Sequence, residues 1–142
     1  MHSTDQRDFP ARMAMLAETA AFVQGFCERS GIRREDALRL VLIVEELFIN
    51  TVTHGFNGGS DALIGISLSR DDEHVELRYE DRAPPHDPTA RFAKSPESVN
   101  APLETRPIGG LGVYLVGQLS ASARYVYEEG MNRLWLTVAC RS

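Results

Sequence analysis

Hydrophobic positions change period three times along this chain, and the changes divide it into elements. From about Pro10 to Ser30, Met13, Leu16, Ala20, Val23 and Phe26–Cys27 recur at helical spacing, and Gly31 supplies a stop. Arg34 to Thr53 predicts a longer helix carrying Leu38, Val41, Leu42, Val44, Leu47, Phe48 and Val52. It is apolar over most of its circumference, which implies burial on more than one side. The cluster Gly55-Phe-Asn-Gly-Gly-Ser60 closes it. The period then shortens to two. Leu63–Ser69 and Val75–Glu80 alternate as half-buried strands, with Arg70-Asp-Asp-Glu73 as the hairpin turn between them.

Asp81–Gly110 has no sustained period and holds six of the seven prolines. A loop this long in a small domain is usually functional. Leu111–Leu119 predicts a short helix opened by glycines. Ala123–Glu128 and Arg133–Ala139 predict a last strand pair, turned at Glu129-Gly-Met-Asn132. Hairpin-linked strands with helices on one face give an α/β fold, a two-layer sandwich with a mixed, mainly antiparallel sheet. The Rossmann pattern is disfavoured, because no glycine cluster follows a first strand in a βαβ unit. A length of 142 residues suits one domain, 1–142, since domains of roughly 100–150 residues are the commonest.

Composition narrows the chemistry. Cys27 and Cys140 form no CxxC pair, so the expectation is two ordinary thiols in a reducing cytoplasm. No apolar run approaches a membrane span. The formal charge is −5, which disfavours direct nucleic-acid binding. Fourteen of the 15 basic residues are arginine, and the one lysine, Lys94, follows no glycine turn. That excludes a Walker P-loop and a eukaryotic-type kinase strand lysine. By composition alone, a phosphate-bearing ligand is disfavoured.

Three local features carry candidate chemistry. Glu46, Asn50 and His54 follow one another at i, i+4, i+8, on one helical face. A carboxylate there is either on a solvated stripe or in a site, since burial without a partner is costly. His54 reads as a helix-end residue meeting the C-terminal dipole. Asp81 ends a strand before a proline-rich turn, where a carboxylate can accept from an exocyclic amine, or simply form a turn. Gly109-Gly-Leu-Gly112 opens an apolar helix, an arrangement that fits either an anion site or a hinge.

Together these features resemble the GHKL (Bergerat) ATP-binding fold of gyrase, histidine kinases and mismatch-repair ATPases. The resemblance is to the small anti-sigma factor serine/threonine kinases of bacteria in particular. It is carried by Val44-Glu-Glu-Leu-Phe-Ile-Asn-Thr-Val-Thr-His-Gly-Phe56, Tyr79-Glu-Asp-Arg-Ala-Pro-Pro-His-Asp-Pro88 and Gly109-Gly-Leu-Gly-Val-Tyr-Leu-Val116. It implies ATP and Mg²⁺ as cofactors, with Asn50 as metal ligand and Glu46 as general base. It further implies that Asp81 reads the adenine amine, that Gly109, Gly110 and Gly112 wrap the phosphates, and that 88–108 is a lid. Arg106 is either a γ-phosphate contact or a surface arginine. The partners implied are a sigma factor and a STAS-type anti-sigma antagonist phosphorylated on serine; a homodimer, which the N-terminal edge of the sheet often helps build in that family, is a further implied assembly.

This sequence departs from the family pattern in three places. Ala83 stands where the family has glycine, and His86 replaces a packing phenylalanine. The polar Met1–Asp8 predicts a short or missing N-terminal strand. The first two departures open an alternative, a non-catalytic binding module with weak or lost ATP binding.

Overall fold

The computed structural model describes residues 3–92 and 110–140. Five strands form one antiparallel sheet: β1 (Ser3–Pro10), β2 (Leu63–Arg70), β3 (His74–Asp81), β4 (Ser122–Glu128) and β5 (Met131–Ala139), in the order β1-β2-β3-β5-β4. The helices are α1 (Leu16–Arg29), α2 (Arg34–Asn50), α3 (Thr89–Phe92) and α4 (Gly110–Leu119). Every strand pairing is antiparallel, so the sheet is not mixed.

Alternation places the core. Ile64, Ile66 and Leu68 of β2, Val75, Leu77 and Tyr79 of β3, and Leu134, Leu136 and Val138 of β5 are all buried. The register sets them side by side, with Ile66 opposite Tyr79 and Leu77 opposite Leu136. They form one cluster with Val23 and Phe26 of α1, Leu40, Val44 and Phe48 of α2, and Val113 and Val116 of α4. The intervening strand residues are mostly polar, Ser67 of β2, Glu76 and Arg78 of β3 and Thr137 of β5 among them. On that other face Arg133 bonds Glu80 at 2.7 Å and Glu128 at 2.6 Å, and Arg124 lies 4.0 Å over the Trp135 ring. Two layers, with helices on one face, follow from this division.

The first strand corrects the sequence expectation. Ser3–Pro10 is a full eight-residue strand, paired along its length with β2. Its backbone supplies the ladder whatever its side chains are, and an edge position lets polar side chains stay in water. Only Phe9 and Ala11 anchor this end, with Phe9 edge-on to Phe22 at 5.8 Å. Asp5 pairs with Arg29 of α1.

The second helix is less enclosed than its composition suggests, because Leu38 and Leu42 are exposed. Beyond Asn50 the helical path continues as one π-helical turn, Thr51–Gly55, with the Phe56 N–H donating to Thr51 O at 3.0 Å. The last hairpin also differs. Its turn is only Glu129 and Gly130, both at positive φ, with Glu128 opposite Met131. Strand β5 therefore begins two residues earlier than expected and includes Asn132. The described part of the proline-rich stretch, up to Phe92, includes a short helix, α3, seated on α4 at Gly117, where a Cβ would fall 2.8 Å from Phe92 Cα. Cys27 and Cys140 are buried free thiols, and burial pushes Cys27 up to about 11. Among the described residues, no helix is long and apolar enough to cross a membrane.

Candidate functional site

A cavity of about 270 Å³ opens where the C-terminal end of α2 meets the ends of β3 and β5. That is near the small end of ligand-pocket sizes, about 300–1,000 Å³. Leu47, Tyr79 and Leu134 supply apolar wall, while Asn50, Asp81 and Asn132 supply the buried polar groups. The π-helical turn brings Thr51 and His54 onto the same wall. Such wide turns recur at functional sites because they redirect side chains that a regular helix would place elsewhere.

Asp81 is 6% exposed and its carboxylate is fixed by three donors. Oδ1 accepts from the Ala83 N–H at 3.1 Å and from Asn132 Nδ2 at 2.9 Å. Oδ2 accepts from Thr51 Oγ1 at 3.1 Å. The Tyr79 hydroxyl lies 2.7 Å from Thr51 Oγ1 and donates to the Leu47 carbonyl at 3.1 Å. Burial, then the negative charge of Asp81, pushes the Tyr79 phenol well above its usual value, so it stays a protonated donor. A carboxylate can accept about four hydrogen bonds, so one acceptor site on Oδ2 remains for a ligand donor.

Asn132 organises the opposite wall. It sits across from Asp81 in the β3–β5 register. Besides Asp81, its Nδ2 donates to Ala83 O at 2.9 Å, and its Oδ1 accepts from the His86 N–H at 3.0 Å and from the Tyr125 hydroxyl. These bonds staple the turn 83–86 to the sheet. The methyl of Ala83 packs on Gly55, where a Cβ would come within 2.9 Å of it. The extra carbon relative to glycine is thus matched by a missing one across the turn. His86 is exposed at the rim.

Asn50 is 9% exposed, and its Oδ1 has no hydrogen-bond partner. An unpaired buried oxygen costs about 1–3 kcal/mol, so its presence in a cavity wall points to a ligand. A neutral oxygen donor suits a hard cation such as Mg²⁺, which is commonly held by one or two protein ligands plus phosphate oxygens. Among the described residues, no group of three or more His, Cys, Asp or Glu forms a metal cage. The residues present therefore fit a cation that arrives with an anionic ligand.

Glu46 lies one turn before Asn50 on α2, half-buried, and packs against α4 rather than lining the cavity. Burial, and secondarily the charge of Glu45, raises its carboxyl above the usual glutamate value. Gly112 is the residue of α4 that faces it. Gly110 begins α4, and Gly109 and Arg106 lie outside the described residues, as does most of 88–108. The structure therefore brings Asn50 and Asp81 to one cavity, and sets Glu46 and Gly112 together beside it. The sequence reading missed Asn132, Thr51 and Tyr125. Asn132 was assigned to a turn, and only the strand register reveals that it opposes Asp81.

Comparison with known proteins agrees with this architecture. Serine-protein kinase RsbW of Listeria innocua is 27% identical over 133 residues, spanning 93% of this chain and 85% of that protein. RsbW of Bacillus cereus is 25% identical over 126 residues, spanning 88% and 78%. Among solved structures, the SiaB–SiaC complex of Pseudomonas aeruginosa matches with TM-score 0.67 and 11% identity, over 94% of this chain and 88% of that one. The RsbU and RsbW domains of a Mycobacterium tuberculosis protein match with TM-score 0.65 and 16% identity, over 99% of this chain and 33% of that one. The model of the histidine kinase-like ATPase domain matches residues 9–138. With that match covering β2 to β4, nearly all of β5 and every residue lining the cavity, this chain belongs to the histidine kinase-like ATPase domain family, as a homologue of the RsbW serine kinases.

Proposed function

We propose that this protein is an ATP- and Mg²⁺-dependent serine/threonine protein kinase acting as an anti-sigma factor. In this reading it binds a sigma factor and phosphorylates a STAS-type anti-sigma antagonist on serine. The observation that carries the reading is the cavity wall itself. A fixed buried carboxylate, Asp81, with one acceptor site open, stands beside a buried amide oxygen, Asn50, that has no partner. Homology to proteins named serine-protein kinases supports it. The SiaB–SiaC match shares the fold and was solved as a protein–protein complex, which is in keeping with a protein substrate.

The roles follow from the chemistry. Asp81 accepts from the exocyclic amine of adenine and disfavours a base with a carbonyl at that position. Asn50 holds the cation through Oδ1, and the amides at the start of α4 face the phosphates. The bound Mg²⁺ supplies neutralisation of charge on the transferring phosphoryl group. Glu46 takes the proton of the attacking serine hydroxyl as its oxygen bonds to phosphorus and ADP leaves. A carboxyl raised above its ordinary value is a stronger base near neutral pH.

Incubation with Mg-ATP and the cognate antagonist should label one antagonist serine. Glu46→Gln should abolish labelling while ATP binding, measured by calorimetry, persists. Labelling at wild-type rate by Glu46→Gln would remove the proposed base. A second reading, a non-catalytic binding module, is favoured by one observation: Glu46 is packed against α4 instead of facing the cavity. Nucleotide binding without phosphotransfer to any antagonist would establish that reading instead.

A further inference from the structure

Gly112 has an ordinary helical backbone, so its conformation does not require glycine. Space does. A Cβ at Gly112 would overlap the Glu46 carboxylate, coming within 2.5 Å of its Cδ and 3.3 Å of its Cγ. A glycine inside a helix is otherwise disfavoured, because it loses more backbone freedom than alanine. We propose that Gly112 is the positioning residue for Glu46: its missing side chain is the slot that holds the carboxylate against the first turn of α4. The proposal deepens the kinase reading, in which Glu46 is the base, although the slot itself rests on packing alone.

The slot has chemical consequences. A carboxylate held in the slot is confined in direction and partly shielded from water. The raised Glu46 carboxyl accords with this, since burial is its largest cause and Glu45 the second. The three atoms nearest to a methyl at 112 all belong to the Glu46 side chain, and the two nearest are in its carboxylate. The carboxylate should therefore swing out toward solvent while α4 stays folded. Gly112→Ala then acts on the base, at a residue that does not itself line the cavity.

The test is a carboxyl NMR titration of Glu46 in the wild-type protein and in Gly112→Ala. The expected result is a wild-type midpoint above that of an ordinary glutamate, falling toward the ordinary value in the variant. An unchanged midpoint overturns the proposal. A parallel assay reads the consequence. Gly112→Ala should lower kcat at least tenfold with the ATP dissociation constant within threefold. Combining it with Glu46→Gln should lower kcat no further than Glu46→Gln alone. An ATP affinity lowered more than tenfold with an unmoved Glu46 titration would assign Gly112 to the phosphates instead, and overturn the slot. Failure of the wild-type protein to phosphorylate any antagonist would defeat the kinase reading, while the NMR result still decides the slot. If Gly112→Ala folds poorly, melting temperatures in a Glu46→Ala background decide it. Shortening residue 46 should remove most of the melting-point loss caused by Gly112→Ala, and an equal loss in both backgrounds overturns the slot.

Discussion

The two ends of the polar stripe on α2 are built in opposite ways. At its C-terminal end, Asp81, Thr51, Asn132 and Tyr125 form a network in which each polar group is bonded to another, under 10% exposure for Asp81, Thr51 and Asn132. One turn earlier, Glu46 is half-buried and placed by the absence of a side chain at Gly112. A network of mutually satisfied groups resists movement, since shifting one member strands the rest. A carboxylate at the end of a long side chain moves by rotating a few torsions. The first end suits recognition of a rigid planar group, and the second suits a single carboxylate held in direction for proton exchange.

The sharpest break between the two ends comes from removing each function separately. Glu46→Gln should lower the phosphotransfer rate by about 10²–10⁴-fold, the usual contribution of a general base, and leave ATP affinity within a few-fold. Asp81→Ala should do the reverse. Losing a hydrogen bond to a charged group costs about 1.5–3 kcal/mol, so ATP affinity should fall roughly 10- to 150-fold by calorimetry. If Glu46→Gln weakened ATP binding as much as Asp81→Ala, the two ends would not be separate.

Asn132→Ala tests whether the recognition end is a network. It removes one hydrogen bond each from Asp81 Oδ1, the Ala83 carbonyl and the Tyr125 hydroxyl, and should destabilise the protein by about 1–3 kcal/mol in urea denaturation. Ala83→Gly is the mildest change there. It removes the methyl packed on Gly55 and frees the unfolded chain, costing about 1 kcal/mol, with ATP affinity unchanged. A gain in ATP affinity in that variant would mean that the methyl crowds the base.

The pH dependence separates the ends again. The folded-state pKa of Glu46 is raised, so its contribution to stability is full below the ordinary glutamate value and is lost as pH rises through the raised value. In the proposed kinase reading activity runs the other way, because Glu46 must be ionised to act as the base. The phosphotransfer rate should rise with pH through the same midpoint, and the limb should vanish in Glu46→Gln. A limb at the ordinary glutamate pKa would place Glu46 in open water during turnover.

Much of this was legible beforehand in the spacing of residues. The Glu46, Asn50, His54 stripe follows from helical geometry, and Asp81 falls at a strand end wherever that strand is drawn. Two parts were not legible. The N-terminal strand is polar because an edge strand needs only its backbone, so alternation carries no signal there. Asn132 was hidden because a two-residue turn, Glu129–Gly130, was read as a longer one, and a shift of two residues moves Asn132 from loop to inner sheet face.

The order of the elements from α1 to α2, β2 and β3 and from α4 to β4 and β5, the two-layer architecture and the placing of Asn50 and Asp81 were determined by the sequence itself, because hydrophobic period and helical spacing act between near neighbours. Only the tertiary structure decided which groups complete the site. Asn132 reaches Asp81 across 51 residues of chain, and Glu46 meets Gly112 across two packed helices. Contacts of that range depend on register and on the close approach of helices, and neither leaves a periodic trace along the chain.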